Sequence, residues 1–253
     1  MRLLTTNNYK ILKAKGFGYL QVGLHLAPYD LSGHQVCAYS TSACRKSCLF
    51  RAGNGSMTKI QKGRIKKTQY FFENTEGFLA EFDAEIYYYE RIAKKEGLIL
   101  VIRPNLTSDI DFQKIIYRGQ TIFEMFPHLQ FFDYTKDYKR ISLYPNYDLT
   151  YSYDQINHKK AMNIVNSNKR LAVVFEDKLP ETFLGRKVIN GDVHDLTFLH
   201  PENVILGLKY KNITTLGFNN KENIKTSTLV VKQNNHFNKI KYDSQTRGKQ
   251  SIF

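Results

Sequence analysis

Cys37, Cys44 and Cys48 are the three cysteines of the chain, and they fall within twelve residues in the pattern C-x6-C-x3-C. A disulfide framework wants an even count spread through a small secreted chain, and an odd number crowded onto one loop is the wrong arrangement for it. The spacing predicts thiolates converging on one metal or cluster. Three thiolates suit a four-iron iron–sulfur cluster with one open iron, or a zinc ion that takes a fourth ligand. His25 and His34 are the nearest candidates for that fourth position. The paired C-x2-C spacing usual in structural zinc sites is absent, and plain reduced thiols are the remaining reading. Arg45 and Lys46, beside Cys44, are expected to lower thiolate pKa.

A loop of this kind needs a scaffold, and the flanking sequence supplies one. Gly18–Leu26 alternates like a strand, and a polar loop over 30–56 carries the cysteines. The Gly53–Ser56 turn is expected to open a helix running to about Asn74, and a second helix over Glu76–Lys95 ends at Gly97, a C-cap residue. Leu98–Asn105 is a continuous apolar run of the kind found in parallel strands buried on both faces. A helix is expected within Phe112–Phe126 and another over Gln155–Asn168; strands are expected at Leu129–Tyr134, Tyr147–Tyr153, Leu171–Glu176 and Val204–Lys209. Strands alternating with helices argue for an α/β fold with a parallel sheet, open or closing into a barrel; it is read as TIM-barrel-like but only partial, because five or six strands fall short of eight. The domain covers 1–209, and 210–253 reads as a basic appendage.

In parallel α/β sheets ligands sit at the carboxyl ends of the strands. The polar residues there are the site candidates: Asn105, Ser108, Asp109 and Asp111 after one strand, Asp133 and Lys136 at the end of the next. Asp109 is the leading acid/base candidate and Lys136 the leading anion-binding one, with Asp111 and Asp133 beside them and Asn105 and Ser108 as cofactor-binding groups. The segment Asn190–Asp195 with His200 could bind metal or serve as acid/base groups, but an ordinary turn capped by Asp192 and Asp195 is the better reading.

Charge points to an anionic partner. The formal net charge is +14, and Arg45–Lys67 holds eight Lys and Arg with no acid. Lys59, Lys62 and Lys66 recur at helical spacing with Arg64 and Lys67 nearby; with Arg45 and Lys46 they are candidates for contacting nucleic acid or a nucleotide. A hydrophobic fraction of 42% with 17 Tyr and 17 Phe marks a globular chain, and no apolar run is long enough to span a membrane. No secretory signal is expected, which points to the cytoplasm.

The strings QVCAYSTSACRKSCLF, RPNLTSDIDF, FPHLQFFDYTK, YPNYDLTYS and VINGDVHDLTFLHP, in order from Gln35 and followed by VILGLK, resemble the gene product 88 family of phage and plasmid proteins. The resemblance implies a phage- or plasmid-encoded protein, in the host cytoplasm, rather than a particular reaction. More distantly, a tri-cysteine loop after the first strand of a parallel barrel is similar to radical S-adenosylmethionine enzymes. That similarity implies Cys37, Cys44 and Cys48 as ligands of a four-iron cluster and S-adenosylmethionine as a second cofactor. The chain departs from the usual C-x3-C-x2-C spacing, and it lacks the glycine-rich motif after the second strand. These features together predict an iron–sulfur protein acting on nucleic acid or a nucleotide; the alternative is a non-enzymatic nucleic-acid-binding protein stapled by zinc.

Overall fold

The computed structural model describes residues 1–6, 9–48, 50, 53–210 and 230–232. Within them the chain runs β1 (Leu4–Thr5), α1 (Tyr9–Lys13), β2 (Tyr19–Leu24), α2 (Ser42–Lys46), α3 (Thr58–Glu73), α4 (Thr75–Glu96), β3 (Ile99–Arg103), α5 (Ile122–Met125), β4 (Gln130–Thr135), β5 (Tyr147–Ser152), α6 (His158–Asn166), β6 (Leu171–Phe175), β7 (Thr182–Phe183), β8 (Arg186–Asn190), β9 (Ile205–Lys209) and β10 (Val230–Val231).

The strands form one ten-stranded sheet in the order β1-β2-β3-β4-β5-β6-β9-β8-β7, with β10 also paired to β6. From β2 to β9 every neighbouring pair is parallel, whereas β1 runs antiparallel to β2 and β7 antiparallel to β8. The α/β class and the parallel core agree with the sequence reading. The partial barrel does not: the sheet is open. Antiparallel β1 covers the β2 edge and the β7–β8 hairpin covers the other, so no pairing among the described residues joins the two ends. The 136–146 connection between β4 and β5 also lacks a helix, so the strand–helix repeat of a barrel breaks there.

Both faces of the central strands are buried, which accounts for their unbroken apolar runs. On one face Leu100, Ile102, Phe131 and Tyr147 pack under Phe78, Phe82, Ile86 and Tyr89 of α4. On the other, Val101 and Phe132 pack against Ala14 and Leu196. A second core gathers Ala161, Ile164 and Val165 of α6 over Leu171 and Val173.

The helix ends follow local chemistry. Asn74 caps α4 by accepting from the Gly77 N–H at 2.9 Å, and Gly97 ends it in the left-handed region, as its type predicts. The helix expected within Phe112–Phe126 is broken. Arg118 and Gly119 both take positive φ, so only α5 remains, closed by a capping box between Thr121 and Glu124. Elements not legible in advance include β1, the short helices α1 and α2, and the β7–β8 hairpin turning at Leu184–Gly185 with φ of 52° and 74°. Part of the expected appendage joins the sheet as β10, and residues 211–229 and 233–253 lie outside the described residues.

The Phe82 ring is fully buried and stacks on Phe78 and Phe112. Truncation to alanine leaves a cavity that a packed aromatic cluster cannot close. Phe82→Ala is expected to lower unfolding stability by about 3–5 kcal/mol with little change in denaturant slope, read by urea titration.

Candidate functional site

The exits of β2, β3, β4 and β5 stand side by side at the carboxyl edge of the sheet, and the cysteine loop is tied down across them. The Val36 carbonyl accepts the Asp109 N–H at 2.8 Å, the Leu24 carbonyl accepts the Leu106 N–H at 3.0 Å, and the Cys37 thiol faces the Thr107 carbonyl at 3.7 Å. Thr41 begins α2 by accepting the Cys44 N–H, and its own hydroxyl donates to Asp154 beyond β5. One short loop thus reaches from β2 across to β5.

Cys37, Cys44 and Cys48 are half-buried, and none forms a disulfide. Burial pushes the Cys37 thiol up to about 12, with Cys48, Asp109 and Cys44 adding to the rise. Burial also raises Cys44, opposed by Lys136 and, more weakly, by Arg45. The expected acidification by neighbouring cations is therefore outweighed. Arg45 does pull Cys44 down, but desolvation is larger, and Lys46 points to solvent. Among the described residues no group of three or more His, Cys, Asp or Glu side chains is arranged to hold a metal ion.

The strand-end carboxylates divide into two groups. Asp109 lies at the mouth, paired with Arg140 at 2.9 Å and accepting the Lys136 N–H at 2.9 Å. Burial raises its pKa against the pull of Arg140. Asp111 sits at the rim, 3.3 Å from Lys114. Asp133 is fully buried and accepts from the Asn105 N–H and side-chain amide and from the Tyr147 hydroxyl. Asn105 in turn donates to the Ile110 carbonyl and accepts from the Ser108 hydroxyl, so Asn105, Ser108 and Asp133 form a clamp that shapes the 104–111 loop. Lys136 is 9% exposed and directs its ammonium at Ser152 and the Tyr153 carbonyl.

The cations of α3 split by direction. Lys59, Lys62 and Lys66 are exposed on one face, whereas Arg64 is buried and Lys67 turns inward to donate to the Leu3 carbonyl at 2.7 Å. Arg51, part of the basic run, lies outside the described residues.

Several residues of the site carried little sequence signal. Arg103 closes the apolar run of β3, pairs with Asp195 and lies 4.6 Å from the Tyr134 ring centroid. Asp192 accepts the Lys209 N–H at 2.8 Å, as a turn-capping residue should, but Asp195 is a buried partner of Arg103. The His194 and His200 rings stack at 4.5 Å. Of the two candidate fourth ligands, His34 stacks on Phe72, and His25 approaches the Thr107 hydroxyl at 3.3 Å. A charged residue ending an otherwise apolar strand, as Arg103 does, is the signal that pointed inward.

With the cysteine loop, the SDID segment and the Tyr134–Lys136 turn assembled at one edge, the ordered motifs of the sequence have one spatial meaning. The gene product 88 family model matches residues 2–231. The chain belongs to the gene product 88 family. No curated protein and no solved structure matches it. The likeness to radical S-adenosylmethionine enzymes gains no support from these comparisons. Among the described residues, no helix is long and apolar enough to cross a membrane.

Two predictions follow from the buried carboxylates. Burial lifts Asp133 from the ordinary 3.8 to about 7, against the pull of Arg103 and its hydrogen-bond donors. A carboxyl raised on folding binds more protons in the native state, so its contribution to stability is present at low pH and is lost as pH rises to about 7. Unfolding measured from acid to neutral pH should show this loss in the native protein, and Asp133→Asn should remove that component of the slope. Arg140→Met strands the Asp109 carboxylate and should cost about 3–5 kcal/mol, much of it recovered in the Arg140→Met/Asp109→Leu double variant, read by denaturant titration.

Proposed function

We propose that this gene product 88 family member is a phage- or plasmid-encoded metalloprotein that binds an iron–sulfur cluster, of the four-iron type, through Cys37, Cys44 and Cys48. It acts on a nucleotide or nucleic acid at the carboxyl edge of its sheet, in the host cytoplasm. The observation that carries this reading is one loop bearing all the cysteines, tied across four parallel strand exits and close to Asp109 and Lys136. A structural staple has no need of that position, whereas a reactive centre does.

Two features of the residues bear on such a group. The thiols feel one another, and burial keeps Cys37 and Cys44 protonated. Ligation replaces those protons, and the nearby Lys136, Arg45 and Arg64 offset the negative charge that results. The thiols must draw together to share a cluster. The five-residue helix α2, which carries Cys44 and has no buried residue, is a light element to move. When bound, the cluster supplies one-electron chemistry and an open iron. The chain's own groups then hold the substrate: Lys136 offers a cation at the mouth, and the Asp109 carboxylate, held by Arg140, is the acid/base group facing it.

Zinc is the second reading, and the exposed Lys46, Lys59, Lys62 and Lys66 favour it. In that case zinc staples the loop and the lysines follow a phosphate backbone without catalysis.

Anaerobic purification of the full chain separates the two. A brown protein with iron and acid-labile sulfide, its colour lost in Cys37→Ser, Cys44→Ser and Cys48→Ser, is the expected result. A colourless protein with one zinc and salt-sensitive DNA binding supports the second reading. Metal-free protein whose stability is unchanged in the serine variants overturns both.

A further inference from the structure

Arg64 is the anomaly of the mouth. It is 9% exposed, yet its Nε and Nη1 have no hydrogen-bond partner among the described residues. The other inward arginines also leave Nε without a hydrogen bond but pair through a terminal nitrogen with a carboxylate, Arg103 with Asp195, Arg140 with Asp109 and Arg170 with Asp148, and Lys67 donates to the Leu3 carbonyl. Unsatisfied buried donors cost about 1–3 kcal/mol each, and more when charged, so a guanidinium kept in this state calls for an anion.

The surroundings define where that anion sits. Arg64 and Thr68 lie one turn apart on α3. Thr68 donates to the Arg64 carbonyl at 2.9 Å and accepts the Ala27 N–H at 2.8 Å. This bond draws the exit of β2, with His25, alongside Arg64. The guanidinium lies 5.5 Å from the Phe50 ring centroid, and Cys48 is the group acting most directly on its charge. His25 is held neutral, down to about 3, by burial and by Arg64, Arg103 and Lys67, with no carboxylate among the groups acting on it. An aromatic platform, a forked donor and a local excess of positive charge are the parts of an oxyanion seat.

We propose that Arg64, between Phe50, His25 and Cys48, is the seat for the terminal phosphoryl group of a small ligand such as a nucleoside monophosphate. Burial decides the class. A guanidinium this enclosed accepts a terminal phosphate or free phosphate; the phosphodiesters of a duplex stay outside and meet only the exposed Lys59, Lys62 and Lys66. The inference names a ligand class at the mouth of the proposed metal centre. It rests on that reading for location alone, because no ligand contact requires a metal.

The test is calorimetric titration and thermal shift of the full chain with inorganic phosphate, a nucleoside 5′-monophosphate and duplex DNA, with metal content read on the same samples. Saturable binding of phosphate or the monophosphate is expected in the native protein. It should weaken about tenfold or more in Arg64→Met and partly return in Arg64→Lys. Arg64→Met should also raise the melting temperature without ligand, since an unpaired buried charge is removed, and this shows that the variant folds. No saturable response, binding unchanged in Arg64→Met, or response to duplex DNA alone overturns the proposal. Arg64-dependent binding by metal-free protein supports this proposal whatever the metal analysis finds, because the metal reading is overturned separately, by metal-free protein with unchanged stability in the serine variants.

Discussion

A fully buried carboxylate, Asp133 at the end of β4, holds the backbone and the side chain of Asn105 as the chain leaves β3, and the Tyr147 hydroxyl closes the third contact. Everything at the mouth hangs from this clamp. Asn105 sets the 104–111 loop through Ser108 and Ile110, and that loop presents Thr107 to Cys37 and His25 and the Asp109 N–H to Val36. Removing the carboxylate would leave buried amide donors unpaired at the point where the site is assembled, which is why a desolvated acid is retained there.

Charge in this region is handled by pairing rather than by exposure. Asp109 with Arg140, Arg103 with Asp195 and Arg170 with Asp148 each bring two ions out of water together. The thiols take the opposite course, and burial raises Cys37 and Cys44 toward the neutral form. Neutral buried thiols are poor nucleophiles, so the cysteines have most to offer chemically once a metal displaces their protons. Arg64 and Lys136 have no carboxylate partner among the described residues, and both border the cysteines. That asymmetry links the proposed metal centre to an anionic ligand.

Much of the scaffold was legible because its signals are local. Apolar runs such as LILVIR mark strands buried on both faces, and Gly97 marks the end of α4. What failed depends on distance or on backbone angles. β1 is two residues long and exists only because Leu4 and Thr5 meet β2. Positive φ at Arg118 broke an expected helix where glycine alone gave a warning. Barrel closure could not be read from strand order, since it turns on which edges are capped. For the site, the strand-end rule brought the named residues to one edge of the sheet but said nothing of the contacts they make there. Asp133 is a buried clamp on Asn105, and Arg64, read only as lying near the face of Lys59, Lys62 and Lys66, turns inward while those lysines stay out.

The central claim is that three thiolates converge on one cluster. Native mass spectrometry of anaerobically purified full-length chain, paired with thiol alkylation before and after acid release of metal, tests it most directly. The account predicts a mass increment of four irons and four sulfides, with all three cysteines protected until release. A bare polypeptide mass with three freely alkylated thiols would contradict it.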